Sequence, residues 1–223
     1  MKRLCIETAT EWGVVAFLEE DKLLFQAKIE KGLQNSKFLL PELERGIKEI
    51  GWEFEDLSYI LCGVGPGSYT GIRIGASAAK ALSFASRVPL IGISTLACFS
   101  PSKEGDFAVV LDAKISGFYV LFGEKKGDVM EYKAEPRIAT LGELEEKIKP
   151  GIEVITPDLS IQKKLEKLTV FPEIFLNERA PDPFFMVKRG DVEFNLGNFS
   201  KDSELELLYL RKTQAEENRK EEV

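Results

Sequence analysis

One order of signals occurs twice in this chain, and it limits the fold more than any single motif. An apolar run ending in an acid is followed by a short loop, a glycine, a second apolar run, a charged hairpin and a third run. In the first instance Ile6-Glu7-Thr8 leads, five residues on, to Gly13-Val14-Val15-Ala16-Phe17. In the second, Leu111-Asp112-Ala113 leads, four residues on, to Gly117-Phe118-Tyr119-Val120-Leu121. The offset is roughly 105 residues, a length that suits one domain per copy. The sequence therefore divides into residues 1–100 and 106–212, joined by the linker Ser100-Pro101-Ser102-Lys103-Glu104-Gly105 and followed by a charged tail over 213–223 that is expected to fray.

The elements within each copy follow from periodicity. Residues 4–8, 13–18 and 23–29 read as strands of a meander, with Glu19-Glu20-Asp21-Lys22 as the hairpin turn. Leu39, Leu43, Ile47 and Ile50 recur at helical spacing, with Asn35 or Ser36 as the N-cap and Gly51 as the stop. Residues 59–64 form a strand that enters a Gly-rich turn, and residues 72–86 form a helix rich in small side chains. A strand at 88–93 and a short helix at 95–99 close the first copy.

In the second copy, strands are expected at 107–112, 117–122, 129–134 and 152–155, and 170–176 reads as mostly strand. Thr140 to Glu143 is a capping box that opens a helix to Lys149, and 159–168 reads as an amphipathic helix. Phe184 to Val187 suggest a helix docked on the core. Two βββαβα-type halves describe an α/β class: the ribonuclease H-like fold duplicated in actins and sugar kinases, which holds ligands in the cleft between the halves.

Composition removes several classes of chemistry. The chain contains no histidine, so His-containing zinc sites and Ser-His or Cys-His triads are excluded within it. Its 223 residues carry a net charge of −7, against the basic face that direct nucleic-acid binding usually needs. Cys5, Cys62 and Cys98 lie far apart in apolar runs and read as buried thiols of a reducing compartment. The N-terminus meets Glu7 before any signal-peptide core forms, and no apolar stretch approaches the ~20 residues that span a bilayer. A cytoplasmic protein with no membrane contact is expected.

Three segments carry the candidate chemistry. In the Gly-rich turn, Gly65, Gly67 and Ser68 sit between a strand and a helix N-terminus, where backbone N–H groups attract anions. Close backbone packing explains the same glycines, and the pattern is neither a Walker A loop nor GxGxxG. Glu7, Thr8 and Thr10 at the end of the first strand are placed as in a phosphate hairpin with a Mg²⁺-directed acid, or as an ordinary strand end. Asp112 holds the matching place in the second copy. Finally, the two helices of the first copy are either core or a docking pair for another chain's helices.

These segments resemble the TsaB (YeaZ) family. CIETAT at 5–10, NSKFLLP at 35–41, IGISTL at 91–96, LDAK at 111–114 and YLR at 209–211 are similar to family motifs. GVGPGSYTGIRIG at 63–75 is the most specific of them. The match is strong to about residue 120 and sparse beyond it.

The resemblance implies an actin-like fold and a non-catalytic role in the synthesis of tRNA threonylcarbamoyladenosine. It implies a TsaD-like paralogue as partner, a TsaE-like ATPase recruited to the complex, self-association as a homodimer, and only indirect contact with tRNA. ATP or ADP with Mg²⁺ would enter at the level of the complex. It also implies a subunit interface on the two helices, with Phe38, Leu39, Leu43, Ile47, Ile72, Gly75, Ala76 and Ala79 as candidate contacts. Glu7 stands where the family has Asp, and Asn35 where it has His; both departures weaken a nucleotide site in this chain. The rival reading is an independent actin-like ATPase or small-molecule kinase that uses Glu7, Thr8, Thr10, the Gly67-Ser68 turn and Asp112.

Overall fold

Alternation along the first strands decides which side chains face which layer. In β1 (Lys2–Glu7) and β2 (Trp12–Glu19), Leu4, Ile6, Val15 and Phe17 point to one face, and Cys5, Val14, Ala16 and Leu18 to the other. All eight are fully buried, so this sheet is covered on both sides. The structure, a computed structural model, describes residues 1–30, 34–127 and 129–210, without the side chains of Glu30 and residues 34–36.

β3 (Lys22–Glu30) completes the meander, and α1 (Gln34–Ile50) follows. β4 (Tyr59–Gly63), α2 (Tyr69–Ser86) and β5 (Leu90–Ile93) close the first sheet, whose order is β3-β2-β1-β4-β5. β1 runs antiparallel to β2 and parallel to β4, and β4 runs parallel to β5. The second sheet starts with β6 (Gly105–Asp112), β7 (Phe118–Lys126), β8 (Val129–Tyr132) and β9 (Arg137–Ala139). It ends with β10 (Glu153–Thr156) and β11 (Phe175–Glu178). Its order is β11-β10-β6-β7-β8, with β9 also on β7. Read from the edge carrying the third strand, both sheets run third, second, first, fourth, fifth. Antiparallel and parallel pairs fall in the same places. This is the duplicated actin-like α/β fold expected from the repeat.

The inner faces of the two sheets share one core, in which Cys5, Val14 and Leu61 gather with Phe107, Val109 and Leu111. The outer face of the first sheet packs on α1 and α2, through Leu39, Leu43, Ile47 and Ala79. The outer face of the second packs on α3 (Leu141–Lys147) and α4 (Gln162–Leu165), through Leu144, Ile148 and Leu165. Burying each large apolar side chain stabilises the fold by about 1.5–3 kcal/mol.

α5 (Pro183–Asn195) is the docked helix anticipated around Phe184 to Val187. Asp182 caps it, accepting from the Phe184 and Phe185 N–H groups at 3.0 and 3.3 Å. Met186 and Val187 enter the central core, while Phe184 stays exposed. Asp191 accepts from Arg3 Nη1 at 2.7 Å and from the Tyr59 hydroxyl at 2.8 Å, tying the helix to the first sheet.

Several local expectations need correction. The 159–168 segment is not one helix: a 3-10 turn at Leu159–Ile161 precedes the short α4. Asp158 draws the Ser160 N–H to its own carboxylate at 2.8 Å and sets the tight turn. The 170–176 segment begins as a 3-10 turn (Phe171–Glu173), because Pro172 removes a ladder donor. α1 is already helical at Gln34, so Asn35 and Ser36 lie inside it rather than at its start; capping by their side chains lies outside the described residues. Arg211 and the tail over 213–223 also lie outside them. The linker is held down: the Ser102 and Lys103 N–H groups both donate to the buried Glu153 carboxylate at 2.9 Å. Among the described residues no helix is long and apolar enough to cross a membrane.

Candidate functional site

Parallel strands leave a crevice beyond their carboxyl ends, and the two halves of this chain aim theirs at one place. Thr10 and Glu11 follow β1, and Gly67, Ser68 and Tyr69 follow β4. From the other half, Asp112 and Lys114 follow β6, and Thr156 and Asp158 follow β10. Together they enclose a cleft of about 230 Å³.

Glu7 and Thr8 do not reach this cleft. The Glu7 side chain turns inward, where Oε2 accepts from the Thr95 hydroxyl at 2.8 Å and from the Cys98 thiol at 3.7 Å. The Ala9 N–H donates to its other oxygen. Burial pushes the Glu7 carboxyl above its ordinary pKa, against the lowering effect of those donors. The space is closed to anything else, since a Cβ on Gly63 would sit 1.7 Å from Glu7 Oε2. Thr8 is buried too, and its hydroxyl donates to the Gly71 carbonyl at 2.7 Å. Of the first-strand candidates Thr10 alone lines the cleft, with its hydroxyl donating to the Trp12 carbonyl at 3.0 Å.

Three donors of the Gly-rich turn are used within the chain. The Gly65 N–H goes to Thr95 Oγ1 at 3.0 Å, and the Ser68 N–H to the Ala9 carbonyl at 2.8 Å. The Gly71 N–H goes to Ser68 Oγ at 3.3 Å, which makes Ser68 the cap of α2. Close approach explains the glycines: a Cβ at Gly67 would meet the Ala9 carbonyl at 2.4 Å, and at Gly71 the Thr8 carbonyl at 2.0 Å. Of the two explanations left open by the sequence, the packing one accounts for this geometry.

Asp112 does line the cleft, but two lysines hold it. Lys164 Nζ lies 2.6 Å from Oδ1, Lys114 Nζ lies 3.5 Å from Oδ2, and the Lys114 N–H donates to Oδ1 at 2.8 Å. Partial burial raises its pKa, and these contacts, Lys164 first, outweigh that and lower it. A Mg²⁺–nucleotide therefore does not fit the residues present. One acid is sealed in the core, the other is neutralised, and the turn's amides at Gly65, Ser68 and Gly71 are taken.

The helix pair divides into an inner and an outer face. Leu39, Leu43, Ile47, Ile72, Gly75, Ala76 and Ala79 are buried within the chain, with Leu39, Leu43, Ile47 and Ala79 in the core cluster of the first sheet. Gly75 touches it so closely that a Cβ would lie 2.4 Å from Thr8 Oγ1. These seven are core, because the apolar period that marks a helix face reports what the helix covers in its own chain. Phe38 alone of the eight candidates is exposed. The outer face holds residues that are not among the eight candidates: Leu40 on α1, beside the exposed charges of Glu44, Arg45, Lys48 and Glu49, and Arg73, Ser77, Ala81, Phe84 and Ala85 on α2. Phe84 is 79% and Leu40 60% exposed. The signal that would have found them is the complement of the buried stripe, with an aromatic where a surface helix usually carries charge.

Comparison with known proteins follows this geometry. The family model for TsaD, tRNA N6-adenosine threonylcarbamoyltransferase, matches residues 33–172, more than half of the chain. Three proteins named tRNA threonylcarbamoyladenosine biosynthesis protein TsaB are similar. The one from Buchnera aphidicola (strain APS) is 34% identical over 52% of this chain and 54% of its own length. The Bacillus subtilis one is 27% identical over 74% of this chain and 75% of its length. The Escherichia coli one is 30% identical over 53% of each. The chain belongs to the TsaB (YeaZ) family. The similarity spans about half the length of the Buchnera and Escherichia TsaB proteins. The solved structure of YeaZ from Pseudomonas aeruginosa has the same fold, with a TM-score of 0.76 and 18% identity over 93% of this chain and all of that one.

Proposed function

We propose that this TsaB-family chain is a non-catalytic subunit in tRNA threonylcarbamoyladenosine biosynthesis, and that it docks a TsaD-like paralogue on the outer face of α1 and α2. The observation that carries the reading is that face. Both helices return antiparallel to the strands they join, so they lie side by side and parallel. Phe38 and Leu40 stand near the start of α1 and Phe84 near the end of α2, with Ser77, Ala81 and Ala85 on the same outer side. From Arg73 to Phe84 the face runs for roughly 16 Å at ~1.5 Å per residue. Small residues framed by apolar anchors let a second helix pair approach closely, as in a four-helix bundle. A second copy of the chain can offer the same surface, and the TsaE-like ATPase, nucleotide and tRNA belong to the assembled complex in this reading.

The test is co-purification with the TsaD-like protein of the same organism, followed by light scattering. Phe84→Asp and Ala81→Glu, both at exposed positions, are expected to abolish the heteromer while shifting the thermal midpoint of the isolated chain by no more than ~2 °C. Undiminished co-elution of both variants would place the partner elsewhere. Gly75 and Ala76 are unsuitable for this purpose, because a charge there would disrupt the chain's own packing.

A further inference from the structure

A second concavity opens where the two halves meet again, and it shares no residue with the cleft. The first half brings Ser94, just after β5. The second brings Tyr132 at the end of β8, with Glu135 and Pro136 in the connection to β9. α5 adds Arg189 and Glu193 from one side. The volume is about 180 Å³, below the ~300–1,000 Å³ of drug-sized ligand sites, so it suits a small molecule.

The Tyr132 hydroxyl is shut off from solvent and has no hydrogen-bond partner among the described residues. Buried tyrosine hydroxyls usually find one, because an unpaired polar group gives up its hydration for nothing. The ring is held edge-on to Phe107, with centroids 6.3 Å apart. The electrostatic neighbours of the hydroxyl are Cys98 and Arg189, and Arg189 borders the same concavity. Burial pushes the pKa of Tyr132 up, so the group stays a protonated donor. Ser94 supplies a second donor. Its oxygen accepts from the Leu96 N–H at 3.3 Å, and its proton has no acceptor among the described residues.

The charges set the other requirement. Arg189 pairs with Glu193 at 2.9 Å and makes no other ion pair among the described residues. Glu135 is exposed and has no ion pair among them. Arg189 and Glu193 balance each other, so Glu135 leaves the concavity with one net negative charge. A bare anion would meet that charge, and a bare amine would leave the two hydroxyls without an acceptor. A ligand that satisfies both carries an acceptor and a cation together.

We propose that this pocket binds a short-chained α-amino acid as its zwitterion. The carboxylate accepts from the Tyr132 and Ser94 hydroxyls and from the open edge of the Arg189 guanidinium, and the ammonium faces Glu135. The site uses no residue of the partner face, so its test is independent of the proposed function.

The probe is L-alanine, titrated into the full-length chain and followed by amide NMR and calorimetry, with acetate and methylammonium as the two half-ligands. L-alanine is expected to saturate by about 20 mM and to bind at least about tenfold more tightly than either half. Shifts should centre on residues 92–97, 132–136 and 189–193. Tyr132→Phe removes one oxygen and keeps the ring, and should weaken binding about tenfold. In the ligand-free chain the same variant should hold or raise the thermal midpoint, because the lost hydroxyl was unpaired. Glu135→Gln, at an exposed position, should weaken binding roughly two- to fivefold. No saturation, equal binding of acetate or methylammonium, shifts centred on the Ser68 cleft, undiminished binding by either variant, or a clear fall in the midpoint of ligand-free Tyr132→Phe would each overturn the proposal.

Discussion

Glu7 shows how one residue can hold a motif position and yet do other work. The acid ends its strand as Asp112 ends the matching one, but its side chain is sealed among Thr95, Cys98 and the Ala9 amide. Its pKa is raised by burial, so the folded chain holds this proton more tightly than the unfolded chain does. The linkage sign follows: its contribution to stability is complete below its ordinary pKa of 4.5 and is lost as pH rises through the higher folded value. Asp112, whose pKa is lowered, contributes in the opposite sense and loses its share as pH falls. In thermal melts across pH, Glu7→Gln is expected to remove the decline on the alkaline side of pH 4.5 and leave the acid limb in place. A wild-type profile that does not fall there would refute this account. At the N-terminus of α2, Ser68→Ala should cost about 1 kcal/mol in denaturant melts through loss of the helix cap.

At the scale of elements, burial was easier to read than conformation. Ile161, Leu165 and Leu168 recur at helical spacing and are all buried, yet only Gln162–Leu165 is α-helical. The period records which side must face the core; hydrogen bonding at Asp158 and the 3-10 turn after Val170 settle how the backbone gets there. β9, three residues long, was missed because so short a strand shows no alternation to count. The site divides in the same way. Gly67, Ser68, Thr10 and Asp112 were visible as cleft residues, since they end strands at corresponding places. Lys164, which neutralises Asp112, lies 52 residues away and only the fold brings it there. The same limit applied to α2, where the apolar stripe marked the core side and left Phe84 unremarked.

The whole molecule is built by repetition, yet its two halves are not separate in space. Their inner faces share a core, and from α5 onward the chain leaves the second half and returns to the first. Ser200 pairs with Leu90, the Leu208 N–H donates to the Val64 carbonyl at 2.9 Å, and Leu205 packs over Gly92. Tyr209 stacks on Tyr69 with centroids 4.9 Å apart and accepts from Arg73 Nε at 3.1 Å. Removal of residues from Ser200 onward is expected to cost at least about 2 kcal/mol, lowering the thermal midpoint by roughly 4–8 °C. A midpoint unchanged within 1–2 °C would show that the returning segment is not part of the stable structure.

That returning segment also sets an order of events during synthesis. The first half supplies its own sheet and both its helices within the first ~100 residues, but the cover over Val64 and Gly92 is made by Leu205 and Leu208, which are translated long after it. On the ribosome the early half therefore waits, formed but incompletely sheltered, until those residues emerge. Its broadest uncovered apolar surface in that interval is the inner face of the first sheet, with Cys5, Val14, Leu18 and Leu61, which residues of the second sheet and α5 later cover, so a nascent-chain chaperone would find its target there.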